Sequence, residues 1–319
     1  MATLLVIGGS GFFGKSILDV YRRGLLQPWG VERIEVVSRN ASALIRSNPE
    51  LISEKFFLHD IDITLCRELP VADYVIHAAA STDARGYLLR PEIERKNIQL
   101  GVSNFCRLAT IFLPKSKILY VSSGAVYGQQ LEALGHIQED AILQPIDSLD
   151  HGKRDYAAAK RDAEYCVQEL GKAGIKVAIA RCFAFVGFYL PRNQHFAIGN
   201  FIEDGLQGRD VQVKAQHCVY RSYLYSDDLV LWLMKILDKA SYACPIVNVG
   251  SDQAVLIHEL AEKISKRFKV GVQLSRLNYS IVDRYVPSIN KGLMMGCPKP
   301  LDLDGAIDMT LEKILESKS

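Results

Sequence analysis

Tyr156 and Lys160 stand four residues apart in YAAAK, so on a helix both side chains leave the same face. An ammonium beside a phenol favours the phenolate. Lys160 is therefore expected to lower a pKa that starts near about 10 and to let Tyr156 exchange a proton close to neutrality. So short a motif arises often by chance, and it gains weight from VSSGAVYG at 121–128, which closes an apolar run that reads as a strand. Ligands of open parallel sheets gather at the carboxyl ends of strands.

A second cluster lies near the start of the chain. Gly8, Gly11 and Gly14 are spaced GxxGxxG in GGSGFFG, between the apolar run TLLVI and a helical pattern. A tight turn, close backbone approach to a pyrophosphate and a helix N-terminus with unpaired N–H groups together make a dinucleotide seat. The end of the next strand distinguishes the two nicotinamide dinucleotides: an acid there bonds the ribose 2′-hydroxyl, and an arginine accommodates a 2′-phosphate. VVSRN supplies Ser38, Arg39 and Asn40 and no carboxylate. Arg39 offers a planar fork to a phosphate, so NADP (NADPH) is the expected cofactor and NAD the alternative.

These groups need a scaffold that brings strand ends together. TLLVI, RIEVV, KFFL, YVIHAA, KILYVSS and KVAIA alternate with helical patterns at 12–26, 91–113 and 156–173, the signature of βαβ units. The fold class is α/β, a doubly wound parallel sheet of Rossmann type with a smaller C-terminal substrate-binding subdomain. Residues 1–182 are expected to bind the dinucleotide, with 216–250 returning to that domain, and residues 183–319 mainly to bind substrate. Helices are expected again at 226–238 and 258–268.

With 49% hydrophobic residues in 319, the chain can bury a large core. Its 38 basic and 36 acidic residues leave a net charge of +2, which argues against nucleic acid or an anionic membrane as partner. The seven cysteines are scattered with no metal-ligand spacing, so no metal is expected and reduced thiols in the cytoplasm are. Residues 1–7 have no basic flank and are too short for a signal peptide or a membrane span.

Taken in order, GGSGFFG, HDI at 59–61, HAAA at 77–80, Asn97 in RKNIQLGVSN, SSGAVYG, YAAAK, RCFAFVG, HFAIGN and RSYLYSDDL resemble the extended short-chain dehydrogenase/reductase family, in its NAD(P)-dependent nucleotide-sugar epimerase, dehydratase and 4-ketoreductase branch. The resemblance implies Ser123 as the hydroxyl that polarises the reacting oxygen, Tyr156 as acid or base and Lys160 as ribose contact. It places Asp60 and Ile61 beside the adenine, Ala78, Ala79 and Ala80 along the cofactor, Asn97 near its inner half, and Phe12, Phe13 and Phe183 around it. On the substrate side it implies Thr82, Tyr127, His195 and Asn200, with Arg221 and Arg284 (in DRYVPS) as two guanidinium forks on a diphosphate. For Tyr127 and Phe183 a core role outweighs a site role, for His195 a structural role stands level with a ligand contact, and for Arg221 and Arg284 a surface or salt-bridge role is the alternative.

Departures from the family pattern prune the reactions. Dehydratases of this branch carry an Asp–Glu pair just after the Ser or Thr, where this chain has Gly124 and Ala125. The Cys and His pair of the double epimerase-reductases has no convincing match at Cys182 and Tyr189. A 4-epimerase returns its hydride and retains NAD, whereas a ketoreductase consumes it, and an NADP site suits net reduction. The expected activity is NADPH-dependent reduction of a nucleoside-diphosphate 4-keto-6-deoxy sugar to the deoxyhexose used in surface polysaccharide such as O-antigen. An NAD-dependent NDP-sugar 4-epimerase is the alternative, and a non-catalytic NADP-sensing protein a remote one. A C2 homodimer is expected through the helices near Pro91 and Tyr156.

Overall fold

The computed structural model describes residues 2–80, 86, 89–130, 135–149 and 151–317. Six strands run through the first part of the chain: β1 (Ala2–Ile7), β2 (Val31–Ser38), β3 (Phe56–Asp60), β4 (Tyr74–His77), β5 (Lys117–Ser123) and β6 (Lys176–Cys182). The later strands are β7 (Phe185–Val186), β8 (Val211–Val213), β9 (His217–Arg221), β10 (Leu224–Tyr225), β11 (Ile246–Val249), β12 (Val255–Leu256), β13 (Val272–Leu274) and β14 (Asn278–Tyr285). The main sheet has seven strands, all parallel, in the order β11, β6, β5, β4, β1, β2, β3. Strand order reverses between β1 and β4, which opens a crevice at the carboxyl ends of those strands.

Helices cover both faces, as parallel strands with buried runs on each side require. Ile98, Val102, Phe105 and Leu108 repeat at helical spacing on the Pro91–Phe112 helix and pack with Ala159, Ala163, Val167 and Leu170 of the His151–Lys172 helix against one face. On the other face, Ile17 and Leu18 of the Phe12–Arg22 helix meet Leu229, Leu233 and Leu237 of the Ser226–Asp238 helix. LVLWLMKIL is thus a buried helix. Among the described residues, no helix is long and apolar enough to cross a membrane.

The elements differ from the sequence expectation mainly at their ends. β4 stops at His77, two residues before YVIHAA ends, because the Ala78 N–H donates to the Ile7 carbonyl and the chain then crosses the glycine loop. The His151–Lys172 helix begins before Tyr156, so the YAAAK motif lies well inside regular helix and its geometry is fixed. The return to the main sheet is made by Ser226–Asp238 and β11; β9 instead pairs with β12 and β14 in a separate three-stranded sheet.

Candidate active site

The register of the main sheet brings the motifs to one edge. Ile7 pairs with Val37 on one side and His77 on the other, so Gly8, Ser38 and Ala78 follow at the same level. β5 and β6 continue past that level to Ser123 and Cys182, which are partners.

The glycines of the loop do different work. Gly8 has φ +92°, and a Cβ there would lie 2.8 Å from the Ala78 and Ala79 backbone, so the loop and the β4 end pass too closely for any side chain. A Cβ on Gly14 would collide with Gly9, and one on Gly9 with Val36, so the helix seats directly on the loop. Gly9 adds a constraint beyond the GxxGxxG spacing. Gly11 is the open one: its nearest neighbour is the Gly8 carbonyl oxygen at 3.4 Å, and it caps the Phe12–Arg22 helix without a side-chain hydrogen bond. A bare Cα facing open space at a helix N-terminus with free N–H groups fits a dinucleotide pyrophosphate. Phe12 and Phe13 pack edge to face at 5.7 Å and both meet Phe185, so they anchor the helix start.

At the end of β2 the Ser38 hydroxyl meets that of Ser10 in the glycine loop at 2.6 Å, and Arg39 and Asn40 are exposed. The two neighbouring carboxylates are already engaged. Asp60 accepts from the Ser42 N–H (2.8 Å) and hydroxyl (2.6 Å), which hold its carboxyl below the usual range. Asp62 accepts from the Thr64 N–H and hydroxyl at 2.8 and 2.7 Å. Asp60 and Ile61 lie at the β3 end, where the Ile61 N–H donates to the Ser38 carbonyl at 2.9 Å. Ala78, Ala79 and Ala80 are half-buried, Asn97 is exposed on the Pro91–Phe112 helix, and Thr82 falls outside the described residues.

Ser123, Tyr156 and Lys160 come together. The Ser123 hydroxyl accepts from the Ala125 N–H at 3.2 Å and lies near enough to the Tyr156 phenol to favour its ionised form. Lys160 is 3% exposed; its Nζ donates to the Val121 carbonyl at 2.9 Å and to the Tyr120 hydroxyl at 3.2 Å. The expectation that Lys160 draws Tyr156 toward the phenolate does not hold in the free chain. The ammonium is 5.9 Å from the Tyr156 ring centre and is oriented by other partners. Burial dominates both groups, pushing Tyr156 up to about 12 against the lowering effect of Ser123, and Lys160 down to about 8. Tyr156 is held as an acid.

Three groups around this centre were given no site role by the motif reading. Cys182, at the β6 end, is buried beside Tyr156 and Lys160, and burial pushes its thiol well up. His77 is buried under Lys160, with rings of Phe105 and Tyr120 at 4.7 and 5.6 Å; burial first and the Lys160 charge second bring it down to about 3. Tyr285, from β14, lies near Ser123, and its ring meets that of Phe183 at 4.6 Å, tilted by 35°. Its oxygen would lie 2.6 Å from a Cβ on Gly124, and the Phe183 ring 2.7 Å, so position 124 has no room for a side chain. Phe183 is thereby buried, forming the floor beneath Tyr285.

Two substrate-side expectations are corrected. Tyr127 is 2% exposed and donates its hydroxyl to Asn248 Oδ1 at 2.7 Å, while Arg181 lies over its ring at 4.7 Å. It belongs to a buried network that ties the β5 end to β11. Arg221 and Arg284 cannot clamp one diphosphate, because they lie on opposite faces of the small sheet. Arg221 is in register with Tyr285, and Arg284 with Tyr220; successive residues alternate faces. Arg284 stacks over Tyr220 at 4.4 Å, on the face away from Ser123. Arg221 shares the Tyr285 face, its guanidinium paired with Asp283 at 2.8 Å.

Asn200 sits in the first turn of the Ala197–Leu206 helix; its amide donates to the Gln194 carbonyl at 2.7 Å and its buried Oδ1 has no partner. His195 is exposed, its ring 4.0 Å from that of Phe196. Among the described residues, no group of three or more His, Cys, Asp or Glu side chains could hold a metal.

Residues 4–250 match the NAD dependent epimerase/dehydratase family. Over 97% of its length the chain is 27% identical to UDP-glucuronic acid decarboxylase 1 of Xenopus tropicalis, covering 71% of that protein. It is also 27% identical, over 85% of its length and 82% of the relative, to GDP-6-deoxy-D-mannose reductase of Pseudomonas aeruginosa. Among solved structures it superposes on the UDP-glucose 4-epimerase of Thermotoga maritima with a TM-score of 0.81 at 18% identity, covering 99% of this chain and 100% of that one. The dTDP-glucose 4,6-dehydratase DesIV of Streptomyces venezuelae gives 0.80 at 18% identity, with 98% and 97% covered.

Proposed function

The chain belongs to the NAD dependent epimerase/dehydratase family and is an NAD(P)-dependent enzyme of the extended short-chain dehydrogenase/reductase type, and from that premise we propose that it reduces a nucleoside-diphosphate 4-keto-6-deoxy sugar with NADPH. The observation that carries this reading is the end of β2. Arg39 is exposed there and no carboxylate ends the strand, while Asp60 and Asp62, farther along the chain, accept hydrogen bonds from Ser42 and Thr64, and the Arg39 charge helps to lower Asp62. A guanidinium at this point would suit a 2′-phosphate, and the strand end itself offers a 2′-hydroxyl no acid.

Gly8, Gly11, Gly14, Ser38 and Arg39 would hold the cofactor, which supplies the hydride when bound. The rest is done by the chain's own side chains. Ser123 donates to the ketone oxygen, and Tyr156 gives its phenolic proton to that oxygen as it becomes an alkoxide, so the carbonyl ends as an alcohol. Lys160, fixed by Val121 and Tyr120, bounds the inner wall beside Tyr156. Asn200 and Arg221 are the groups we assign to the diphosphate. The absence of room at Gly124 supports the exclusion of dehydration, because no carboxylate can stand after Ser123. The similarity to a GDP-6-deoxy-D-mannose reductase supports a nucleotide deoxysugar as substrate class.

The test is a titration of the purified protein with NADPH and with NADH, after mass spectrometry for copurified nucleotide. Preference for NADPH, weakened about 10- to 100-fold by Arg39→Asp as expected for loss of a charged hydrogen-bond pair, supports reduction. Tightly retained NAD with no NADPH preference overturns it in favour of 4-epimerisation.

A further inference from the structure

We propose that Arg161 is a positioning residue for this reaction: the helix that carries Tyr156 and Lys160 uses its next side chain to hold the turn that aims Ser123. The inference rests on the reading of Ser123 and Tyr156 given above. Ser123 ends β5 and leads into a single 3-10 turn, Gly124–Tyr127, after which the Gly128 N–H donates to the Ala125 carbonyl at 3.1 Å. That turn sets the Ser123 hydroxyl, whose oxygen accepts from the Ala125 N–H at 3.2 Å. A turn this short leaves carbonyls without the donors that a longer helix would supply. Arg161 supplies one, its Nε donating to the Val126 carbonyl at 2.8 Å. Its Nη2 donates to the Gln144 carbonyl at 2.7 Å, and the Gln144 N–H returns to the Tyr127 carbonyl at 2.9 Å. One guanidinium thus closes a ring of hydrogen bonds through the turn and the segment packed against it. A planar fork serves both carbonyls at once, which an ammonium could not. Val126 is buried and Arg161 half-buried, so the bonds are made largely out of water. Tyr156, Lys160 and Arg161 lie within six residues of one regular helix, so any shift of the turn against that helix changes the separation of Ser123 from Tyr156. The Arg161 fork resists that shift. A ketone oxygen must meet both hydroxyls together, so the separation bears on turnover more than on binding.

The experiment is a double-mutant cycle in the full chain, with NADPH and a panel of NDP-4-keto-6-deoxy sugars and, in parallel, with NAD and NDP-hexoses. Arg161→Met keeps the stem and removes both donors. It is expected to lower kcat about 10-fold or more with KM nearly unchanged, and to cause little further loss in a Ser123→Ala background, where the turn has no hydroxyl to aim. Arg161→Lys, able to serve one carbonyl, is expected to recover part of the loss. An unchanged kcat, or an equal fall in both backgrounds, overturns the proposal. A second readout needs no substrate: amide hydrogen exchange of the free chain. Arg161→Met is expected to speed exchange at 124–128 by about 10-fold while 162–172 exchange as in the wild type, and a uniform rise, or none, overturns the proposal. If NDP-hexoses interconvert and no 4-keto sugar is reduced, the reductase reading fails, while the same cycle, run on epimerisation, upholds or overturns the role of Arg161.

Discussion

Tyr156 carries the most chemical consequence at the scale of single residues. As the proposed proton donor it is worth the usual contribution of general acid catalysis, so Tyr156→Phe should lower turnover by about 10²- to 10⁴-fold while leaving the NADPH dissociation constant near that of the wild type, measured by steady-state kinetics and fluorescence titration. His77 and Lys160 make stability depend on pH in a predictable sense. The folded pKa of His77 is depressed from 6.5 to about 3, so its contribution is whole above 6.5 and is lost as pH falls toward 3, because only the unfolded chain takes up the proton. The same sign applies to Lys160, whose depressed value of about 8 against 10.5 makes stability rise between those pH values. Replacing His77 by Phe should therefore flatten the acid limb of a urea-unfolding series between pH 6.5 and 4, and a limb as steep as the wild type's would contradict the burial argument.

At the scale of elements, the site depends on β5, β6 and the His151–Lys172 helix holding a common frame. Glu164 of that helix forms a buried pair with Arg181 of β6 at 2.7 Å and accepts from the Ser122 hydroxyl of β5 at 2.6 Å. Removing one partner strands the other charge in the interior, so Glu164→Ala should cost about 3–5 kcal/mol in chemical denaturation. The alternation of β9 and β14 makes a separate prediction. Arg221→Ala should raise the KM for the nucleotide sugar about 10-fold or more, the worth of a charged hydrogen bond, while Arg284→Ala, on the other face, should change it little. Equal effects of the two would mean that β14 is not alternating as described.

At the scale of the whole molecule, the Pro91–Phe112 helix turns an apolar stripe outward. Ile93, Leu100 and Ile111 are 51%, 47% and 59% exposed, and their spacings of seven and eleven residues keep them on one face. Tyr165 of the adjacent helix is exposed too. We propose that this surface pairs with its twofold copy. Leu100→Lys should then convert a dimer to a monomer in sedimentation analysis, with the NADPH affinity of each chain retained.

The sequence by itself determined whatever depends on neighbours along the chain. Tyr156 and Lys160 share a face because a helix repeats every 3.6 residues, and Gly8, Gly11 and Gly14 mark a turn between a strand and a helix whatever surrounds them. The parallel sheet followed from strands alternating with helices, for the same local reason. Tertiary structure decided what depends on residues far apart. Tyr127 stands open between core and site until Asn248, 121 positions later, takes its hydroxyl. Arg221 and Arg284 look equivalent until the register of β9 and β14 sends them to opposite faces. Tyr285 lies in DRYVPS without a role there, and its oxygen comes to Gly124 only where β14 meets the end of β5. The pKa values moved for the same reason: burial is a property of the packed molecule, and at Tyr156 and Lys160 it outweighs the pairing that their spacing implies.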